Sequence, residues 1–268
     1  MSKNFPGISC VPVKMMDGRV LYLDLTNPVS VPYLLDGKFK CEEVETDLAR
    51  DLVKRGDKVI DVGANVGWYS TLFCEEAGNK GKVYAFEPNK YLIRLLNNLS
   101  KDYPQLQINH AAVGEENGEK ELNITENWIS GSLNMDNEEE REIVEKQKTK
   151  MISLDSFLKN KKSVDFIKLD AEGAEKKILE GASKIIEKGT PIWMIEFSSR
   201  ETKNFGYHPK DIVQIFESSD KEYEKYMVNQ EKNKIEELQL PDKEEFWFNA
   251  LFVPEDKKEK ISEKWLEA

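Results

Sequence analysis

Residues Lys58 to Thr71 read KVIDVGANVGWYST, and this stretch decides the fold of the chain. Its apolar start predicts a buried β-strand that ends in Asp61. Gly63 and Gly67 bracket a tight loop, after which a helix is predicted from Trp68 to Ala77. Glycine allows positive φ and close approach of a ligand, and the amino terminus of a helix offers unpaired N–H groups. The stretch therefore predicts a ligand-binding loop between a strand and a helix.

The next predicted strand, Lys82 to Phe86, ends in Glu87. An acid at this point of a nucleotide-binding βαβ unit binds the hydroxyl pair of a ribose. Asp61, Glu87 and the glycine loop together outline a nucleoside pocket. The residues assigned to the cofactor with them are Gly63, Asn65, Gly67, Tyr69 and Ser70 from the loop and helix start, and Pro88 and Asn89 after the second strand.

The spacing of the loop separates the possible nucleoside ligands. If Gly63 is the first glycine of a dinucleotide fingerprint, Asn65 and Trp68 occupy the other two glycine positions. A P-loop needs Gly-Lys-Ser/Thr, but Gly67 is followed by Trp68. An acid such as Asp61 beside the loop favours a cationic amino-acid moiety over a phosphate. S-adenosylmethionine carries both a ribose and an ammonium group.

Six segments in this order resemble the FkbM family of S-adenosylmethionine-dependent methyltransferases. They are DVGANVGWYS at 61–70, AFEPN at 85–89, NHAAVG at 109–114, SLDSFL at 153–158, FIKLDAEGAEKKILEGA at 166–182 and PIWMIEF at 191–197. The resemblance runs from about Val44 to Ile195. It implies an enzyme with S-adenosylmethionine as cofactor, in most members an O-methyltransferase acting on hydroxyls of sugars, polysaccharides or natural products.

The fold that the resemblance implies is the Rossmann-like α/β fold of class I methyltransferases. Its mostly parallel, seven-stranded sheet has an antiparallel last strand. Within the segment NHAAVG, His110, Ala111 and Ala112 correspond to the family segment near the adenine ring, where small residues leave room for a flat base. His110 is either a ligand contact or a core histidine with satisfied hydrogen bonds.

The chain has 268 residues, of which 39% are hydrophobic, and can therefore bury one sizeable core. This predicts a single α/β domain with additional segments. The 39 basic and 50 acidic residues give a formal charge of -11, so no nucleic-acid partner is expected. A leader sequence and a membrane span are not expected either, and the protein is predicted to be cytoplasmic. Its three cysteines, Cys10, Cys41 and Cys74, are predicted to be reduced core thiols.

Three parts of the chain are distinguished. Residues 1–41 are predicted to form a hairpin-like amino-terminal cap of the same domain, because two alternating pieces flank Asp17-Gly18. The cap either only covers the core or also shapes the acceptor site. Residues 42–254 are the predicted methyltransferase core, and residues 255–268 a charged tail helix. Within the core, the charged run Asp136 to Lys150 predicts a solvated helix or lid, and Ala174 to Glu187 an amphipathic helix.

Methyl transfer to a hydroxyl requires a base that removes its proton, commonly His, Asp or Glu. Four residues near the predicted ligand edge of the sheet are candidates: Asp170, Glu172, Glu196 and His208. Asp170 is also assigned to the cofactor site, because it can face the methionine end of S-adenosylmethionine. Asp170 and Glu172 have an alternative role as caps of the following helix. Several acids at one strand edge could hold Mg²⁺ or Ca²⁺, so the metal question stays open.

Other functions compete with a hydroxyl acceptor. For N-methylation, the Asn/Asp-Pro-Pro-aromatic motif is absent, and Leu169-Asp170-Ala171-Glu172 stands in its place. For 2′-O-methylation of RNA, an Asp after one strand and a Glu after the next give a superficial match. The net negative charge of the chain opposes binding of RNA. A module that binds S-adenosylmethionine without catalysis and an NAD-dependent oxidoreductase are the remaining alternatives. The oligomeric state and the identity of the acceptor are left open.

Overall fold

A computed structural model of the protein describes residues 10–25, 30–125, 131–132, 143–160 and 163–266. Its strands are β1 (Cys10–Lys14), β2 (Val20–Asp24), β3 (Lys58–Val62), β4 (Lys82–Glu87), β5 (Leu106–His110), β6 (Ala112–Val113), β7 (Gly118–Thr125), β8 (Gly131–Ser132), β9 (Ile143–Ile152), β10 (Phe166–Leu169), β11 (Ile192–Ser198), β12 (Tyr223–Asn229), β13 (Lys234–Glu237) and β14 (Trp247–Pro254). Its α-helices are α1 (Val31–Asp36), α2 (Glu43–Leu52), α3 (Trp68–Ala77), α4 (Lys90–Asp102), α5 (Leu154–Leu158), α6 (Glu175–Glu180), α7 (Ser183–Lys188), α8 (Ser199–Asn204) and α9 (Pro209–Glu217).

The central sheet has the strand order β13-β12-β14-β11-β10-β3-β4-β5. Strands β11, β10, β3, β4 and β5 pair in parallel, whereas β14 runs antiparallel to both of its neighbours, β11 and β12. The predicted class I methyltransferase fold is thereby confirmed. Within the described residues the sheet has eight strands instead of seven, because β13 adds an antiparallel edge strand beside β12.

Helices cover both faces of this sheet. Helices α2, α3 and α4 contribute to one buried apolar cluster, and α6, α7 and α9 contribute to the other. Strands β10 and β11 are buried on both faces, as expected for the middle of a parallel sheet. Side chains alternate between the faces of a strand, so Asp61, Lys168 and Glu196 share the face that packs against α2 and α3. This face carries the polar groups of the site.

The amino-terminal hairpin is present, with β1 and β2 paired antiparallel. Leu21 and Leu23 of β2 are fully buried and join the core beneath α4. The Arg19 guanidinium donates to the carbonyl oxygen of Trp68 at 2.5 Å and lies 4.2 Å from the centre of its indole ring. These contacts fix the hairpin to the start of α3. The proposed boundary between cap and core at residue 41 stays a prediction.

The charged segment before Ser153 differs from the prediction. From Ile143 onward it forms β9, which pairs antiparallel with β7, whereas residues 136–142 lie outside the described ranges. Gln147, Thr149 and Met151 are buried while the lysines between them are exposed. This period of two is that of a strand with one covered face. A helix or lid over residues 143–150 was therefore the wrong prediction.

Three further predictions need correction. The helix predicted from Ala174 to Glu187 is divided into α6 and α7 at Gly181, where the chain passes so close to Gly114 that a Cβ atom would lie 2.2 Å from its carbonyl oxygen. The tail forms short 3-10 helices over Glu255–Lys260 and Glu263–Trp265 instead of one helix, since so few of its side chains are buried. Among the cysteines only Cys74 is fully buried, while Cys41 is exposed.

Among the helices that the structure describes, none has the length and apolar character needed to cross a membrane.

The break between α6 and α7 yields a stability prediction. Gly181→Ala should lower the free energy of unfolding by about 1–3 kcal/mol, which is the usual effect of overpacking. The reason is that the backbones at Gly181 and Gly114 cannot easily separate to admit a methyl group. Gly118→Ala is the matched control, since a Cβ atom there meets no heavy atom within 4 Å. Urea unfolding measures both variants. Equal stability of the two variants would show that the packing against Gly114 tolerates a side chain at position 181.

Candidate active site

A cavity of about 300 Å³ opens at the carboxyl ends of β3, β4, β10 and β11. Among its lining residues are many of those that the sequence predicted: Asp61, Gly63, Asn65, Tyr69, Glu87, Pro88, Ala111, Ala112, Asp170, Glu172 and Glu196. The sequence did not predict other lining residues: Tyr33, Phe39, Cys41, Glu42, Trp68, Leu122, Lys168 and Trp247. Amino-terminal residues thus form part of the wall.

One half of the cavity, the predicted nucleoside half, is built around Glu87. Its two carboxylate oxygens accept hydrogen bonds from the backbone N–H of Asn65 at 3.0 Å and of Asn89 at 2.8 Å. Burial raises the pKa of Glu87 to about 7, against the lowering effect of these two bonds. A carboxylate oxygen accepts more than one hydrogen bond. Glu87 therefore remains able to accept hydrogen bonds from a diol.

Asn65 supplies an observation that points to a ligand. Its Oδ1 atom is buried, and no hydrogen-bond donor reaches it within the described part of the chain. A buried polar atom without a partner is destabilising. Because Asn65 lines the cavity beside Glu87, a ligand with O–H or N–H groups there would satisfy it. A ribose with its two hydroxyls fits this requirement.

Three predicted cofactor residues support the walls without lining the cavity. The Ser70 hydroxyl donates to Asp61 at 2.5 Å, and the Asn89 side chain accepts from the backbone N–H of Tyr91 and so caps α4. Gly67 precedes α3 with φ of 90°, and a Cβ atom there would lie 2.4 Å from Leu99. Burial raises the pKa of Asp61 to about 6, and the bond from Ser70 partly offsets this.

The adenine segment matches its prediction only in part. Ala111 and Ala112 line the cavity, together with Val113 and Leu122. His110 is exposed and is not among the lining residues, and its Nε2 atom lies 3.0 Å from the carbonyl oxygen of Pro88. Small side chains therefore flank the space that a flat base requires.

Lys168 dominates the electrostatics of the other half. It is fully buried in β10, and its Nζ atom lies 3.1 Å from an Asp170 carboxylate oxygen and 4.8 Å from the centre of the Tyr69 ring. Burial alone would lower the pKa of Lys168, but nearby carboxylates, above all that of Asp170, raise it overall. The sequence did contain a signal for this residue, since Lys168 is the one charged residue of the strand FIKL. A buried charge of this kind needs a partner.

Glu196 is a buried acid in the same half. Its carboxylate accepts a hydrogen bond from the indole N–H of Trp247, a residue of the adjacent strand β14. Burial raises the pKa of Glu196 well above its ordinary value, and the charges of Asp170 and Glu201 raise it further. Glu196 is therefore an acid that holds its proton more strongly than a solvated glutamate.

The turn after β10 is held by Glu175. The Glu175 carboxylate accepts from the backbone N–H of Ala171 at 2.8 Å and of Gly173 at 3.2 Å, and from the Tyr207 hydroxyl at 3.2 Å. Glu172, in this turn, has a left-handed backbone with φ of 53° and faces the cavity. Glu175 thus holds the backbone of the turn before α6.

His208 lies apart from the other candidate bases. It caps α9, its Nδ1 atom accepts from the backbone N–H of Lys210 at 3.1 Å, and it is not a lining residue of the cavity. Within the described ranges, no group of three or more His, Cys, Asp or Glu side chains is arranged to hold a metal ion. The acids that meet in the cavity are Glu42, Asp61, Glu87, Asp170, Glu172 and Glu196.

Comparison with known proteins gives a family match. The model of the methyltransferase FkbM domain matches residues 61–226. A methyltransferase FkbM from Methylobacillus flagellatus aligns at 17% identity and a TM-score of 0.48 over 74% of this chain, which spans only 43% of that protein. A search of curated proteins finds no match.

Two other solved structures are similar at lower identity. One is an S-adenosylmethionine-dependent methyltransferase from Aquifex aeolicus, with 13% identity and a TM-score of 0.43, covering 78% of this chain and 88% of the other. The second is fibrillarin from Aeropyrum pernix with natively bound S-adenosyl-L-methionine, with 13% identity and a TM-score of 0.45, covering 89% and 92%.

Burial of Glu87 predicts a pH dependence of stability. In the folded protein the pKa of Glu87 is about 7, against 4.5 for an ordinary glutamate. Between these values the folded state binds more protons than the unfolded state, so its stability falls as pH rises. Glu87→Gln removes this titration and should flatten the decline, by up to about 3 kcal/mol across the interval. Urea unfolding from acidic to neutral pH measures the slope, and an unchanged slope would contradict the assignment.

Proposed function

Because the chain belongs to the FkbM methyltransferase family, we propose that it transfers the methyl group of S-adenosylmethionine to a hydroxyl of an uncharged acceptor. Sugars, polysaccharides and natural products are the acceptor classes that the sequence resemblance implies. Family membership makes the chain an S-adenosylmethionine-dependent methyltransferase, as its motifs predicted. The hydroxyl acceptor is the proposal.

S-adenosylmethionine, when bound, supplies a methyl group that its sulfonium charge has already activated. The protein must therefore orient the acceptor, exclude water and take up the proton that the acceptor hydroxyl loses. We assign the ribose hydroxyls to Glu87 and Asn65, and the adenine ring to the wall around Ala111 and Ala112. Asp61 would complement the positive amino-acid end of the cofactor.

The observation that carries the proposal is the set of carboxyl groups beyond the nucleoside half. The side chains concerned are Asp170, Glu172 and Glu196, and Lys168 is the one cation among the described residues that line the cavity. Carboxylates accept hydrogen bonds from hydroxyls and can receive their protons. An acceptor with several hydroxyl groups is thus matched to this half.

Asp170 is the acid we assign to the acceptor. Its carboxylate is about one-third exposed and is held by Lys168 from below, so it faces the cavity with a fixed orientation. Trp247 holds Glu196 in a similar way and is itself 40% exposed at the cavity. Its indole offers a flat apolar surface beside the acids. A ring-shaped acceptor could stack on this surface while its hydroxyls reach the carboxylates.

The same charges disfavour an RNA acceptor. Among the described residues that line the cavity, a phosphate backbone would meet several carboxylates and one lysine, in a chain whose formal charge is -11. Repulsion of this kind reduces both affinity and association rate. A sugar without phosphate avoids it.

Cofactor binding provides the first test. Calorimetry should show binding of S-adenosylmethionine and S-adenosylhomocysteine but not of NAD. Glu87→Ala should weaken binding of both compounds by roughly 1–3 kcal/mol, the scale for a lost hydrogen bond to a charged group. Glu121→Ala, an exposed residue outside the cavity, is the control and should bind as the wild type does. Unchanged affinity of Glu87→Ala would remove Glu87 from the site, and tight binding of NAD would refute the cofactor.

Methyl transfer provides the second test. With radiolabelled S-adenosylmethionine and a panel of neutral sugars and glycans, Asp170→Asn should reduce the rate by about 10²-fold or more, the usual scale of general acid–base catalysis. Thermal unfolding should change little, because Lys168 retains Glu42 and Glu196 as charge partners. Asp211→Asn, outside the cavity, is the control. Labelling of RNA in place of glycans would overturn the proposed acceptor, and binding of the cofactor without any transfer would favour a non-catalytic module.

A further inference from the structure

Glu42 is a lining residue of the cavity that no sequence motif indicated. It ends the 3-10 helix Lys40–Glu42, directly before α2, and only 4% of its surface is exposed. The Tyr69 hydroxyl donates to its Oε2 atom at 2.5 Å. Because Tyr69 belongs to α3, this bond joins the amino-terminal segment to the helix that follows the glycine loop.

The surroundings of Glu42 contain more negative than positive charge. The groups that face it are Tyr33 from α1, Glu45 from α2, Tyr69 from α3, and Lys168 and Asp170 from β10 and the turn after it. Lys168 is the one cation among them, and it already pairs with Asp170 at 3.1 Å. Burial raises the pKa of Glu42 to about 7, which Lys168 and the Tyr69 hydroxyl only partly offset. Its carboxylate therefore lacks a full counter-charge.

A cluster of aromatic rings shares the cavity with this acid. Tyr33 and Phe39 stack with ring centres 5.3 Å apart, and Trp68 packs against Tyr33 at 5.8 Å. All three line the cavity. Apolar rings exclude water, and a charge interaction is stronger where water is excluded. A cation that enters this half would therefore gain more from Glu42 than from a solvated carboxylate.

We propose that Glu42 binds the positively charged sulfonium end of the methyl donor, so that the protein holds S-adenosylmethionine more tightly than S-adenosylhomocysteine. The inference rests on the proposed function, because it takes S-adenosylmethionine as the occupant of the cavity. Methyl transfer leaves the electron pair of the broken C–S bond on sulfur, and the sulfonium charge is lost. The attraction to Glu42 then disappears, which favours release of the product.

Glu42 and Glu87 form a matched pair for the test. Both are buried acids of the cavity, but Glu87 lies in the nucleoside half, which is common to donor and product. Calorimetry gives dissociation constants of S-adenosylmethionine and S-adenosylhomocysteine for the wild type, Glu42→Gln and Glu87→Gln. Glu42→Gln should weaken donor binding about tenfold, the scale of one hydrogen bond or contact to a charged group, and product binding less than about twofold. Glu87→Gln should weaken both equally.

The pH dependence of the preference for the donor gives a second test. Above the pKa of about 7, Glu42 is ionised, and below it the carboxyl is neutral. The preference of the wild type for the donor over the product should therefore increase as pH rises through neutrality. In Glu42→Gln this increase should be lost. A preference with the same pH dependence in both proteins would assign the charge to another acid and overturn the proposal.

Folding of the variants is checked by circular dichroism and thermal unfolding. Tyr69→Phe is a milder second variant, because it removes only the hydroxyl that holds Glu42, and it should shift the preference in the same direction. Equal losses of donor and product affinity in Glu42→Gln would show a structural role and refute the proposal. If the wild type binds neither compound, the proposed function and the present inference both fail. If the wild type binds and transfers methyl groups but the variant keeps its preference, only the present inference fails.

Discussion

The contact between Gly63 and the carbonyl oxygen of Asp170 is the constraint on which the site depends. A Cβ atom at Gly63 would lie 1.7 Å from that oxygen, and φ of 80° already favours glycine there. The backbone N–H of Asp170 in turn donates to Val62 at 3.1 Å. The turns after β3 and β10 therefore lie directly against each other. One turn carries the glycine loop and the other carries the acids, so their contact places the two halves of the cavity side by side.

The site also depends on charges that are buried at a cost in stability. Asp61, Lys168 and Glu196 are buried among the apolar residues of their strands. Transfer of each unpaired charge from water would cost several kcal/mol. Lys168 reduces this cost for the acids around it, yet burial still raises the pKa of Asp61 and Glu196. A cationic ligand would supply the missing positive charge. The arrangement thus favours the ligand-bound state over the free protein.

The sequence predicted those parts of the site that local patterns determine. The strand, glycine loop and helix from Lys58 onward lie where the pattern placed them, and Glu87 ends its strand beside them. The role of the glycines was less predictable. Gly63 and Gly67 leave room for other parts of the protein that pack against them, and a sequence does not show such contacts. Contacts between distant segments were missed for the same reason. Glu42 reaches the cavity because the segment before α2 lies against α3, and Trp247 does so because β14 pairs with β11.

The charged strand β9 shows how composition can outweigh periodicity in a sequence interpretation. Its many lysines and glutamates suggested a solvated helix, whereas the alternation of Lys146, Lys148 and Lys150 with buried residues is that of a strand. Because of this wrong prediction, the contact of β9 with the wall of the cavity was not anticipated. The Gln147 side chain donates to the carbonyl oxygen of Pro88 at 2.7 Å and accepts from the backbone N–H of Lys90 at 3.1 Å. Because the segment it holds directly follows Glu87, β9 helps to fix the position of the acid assigned to the ribose.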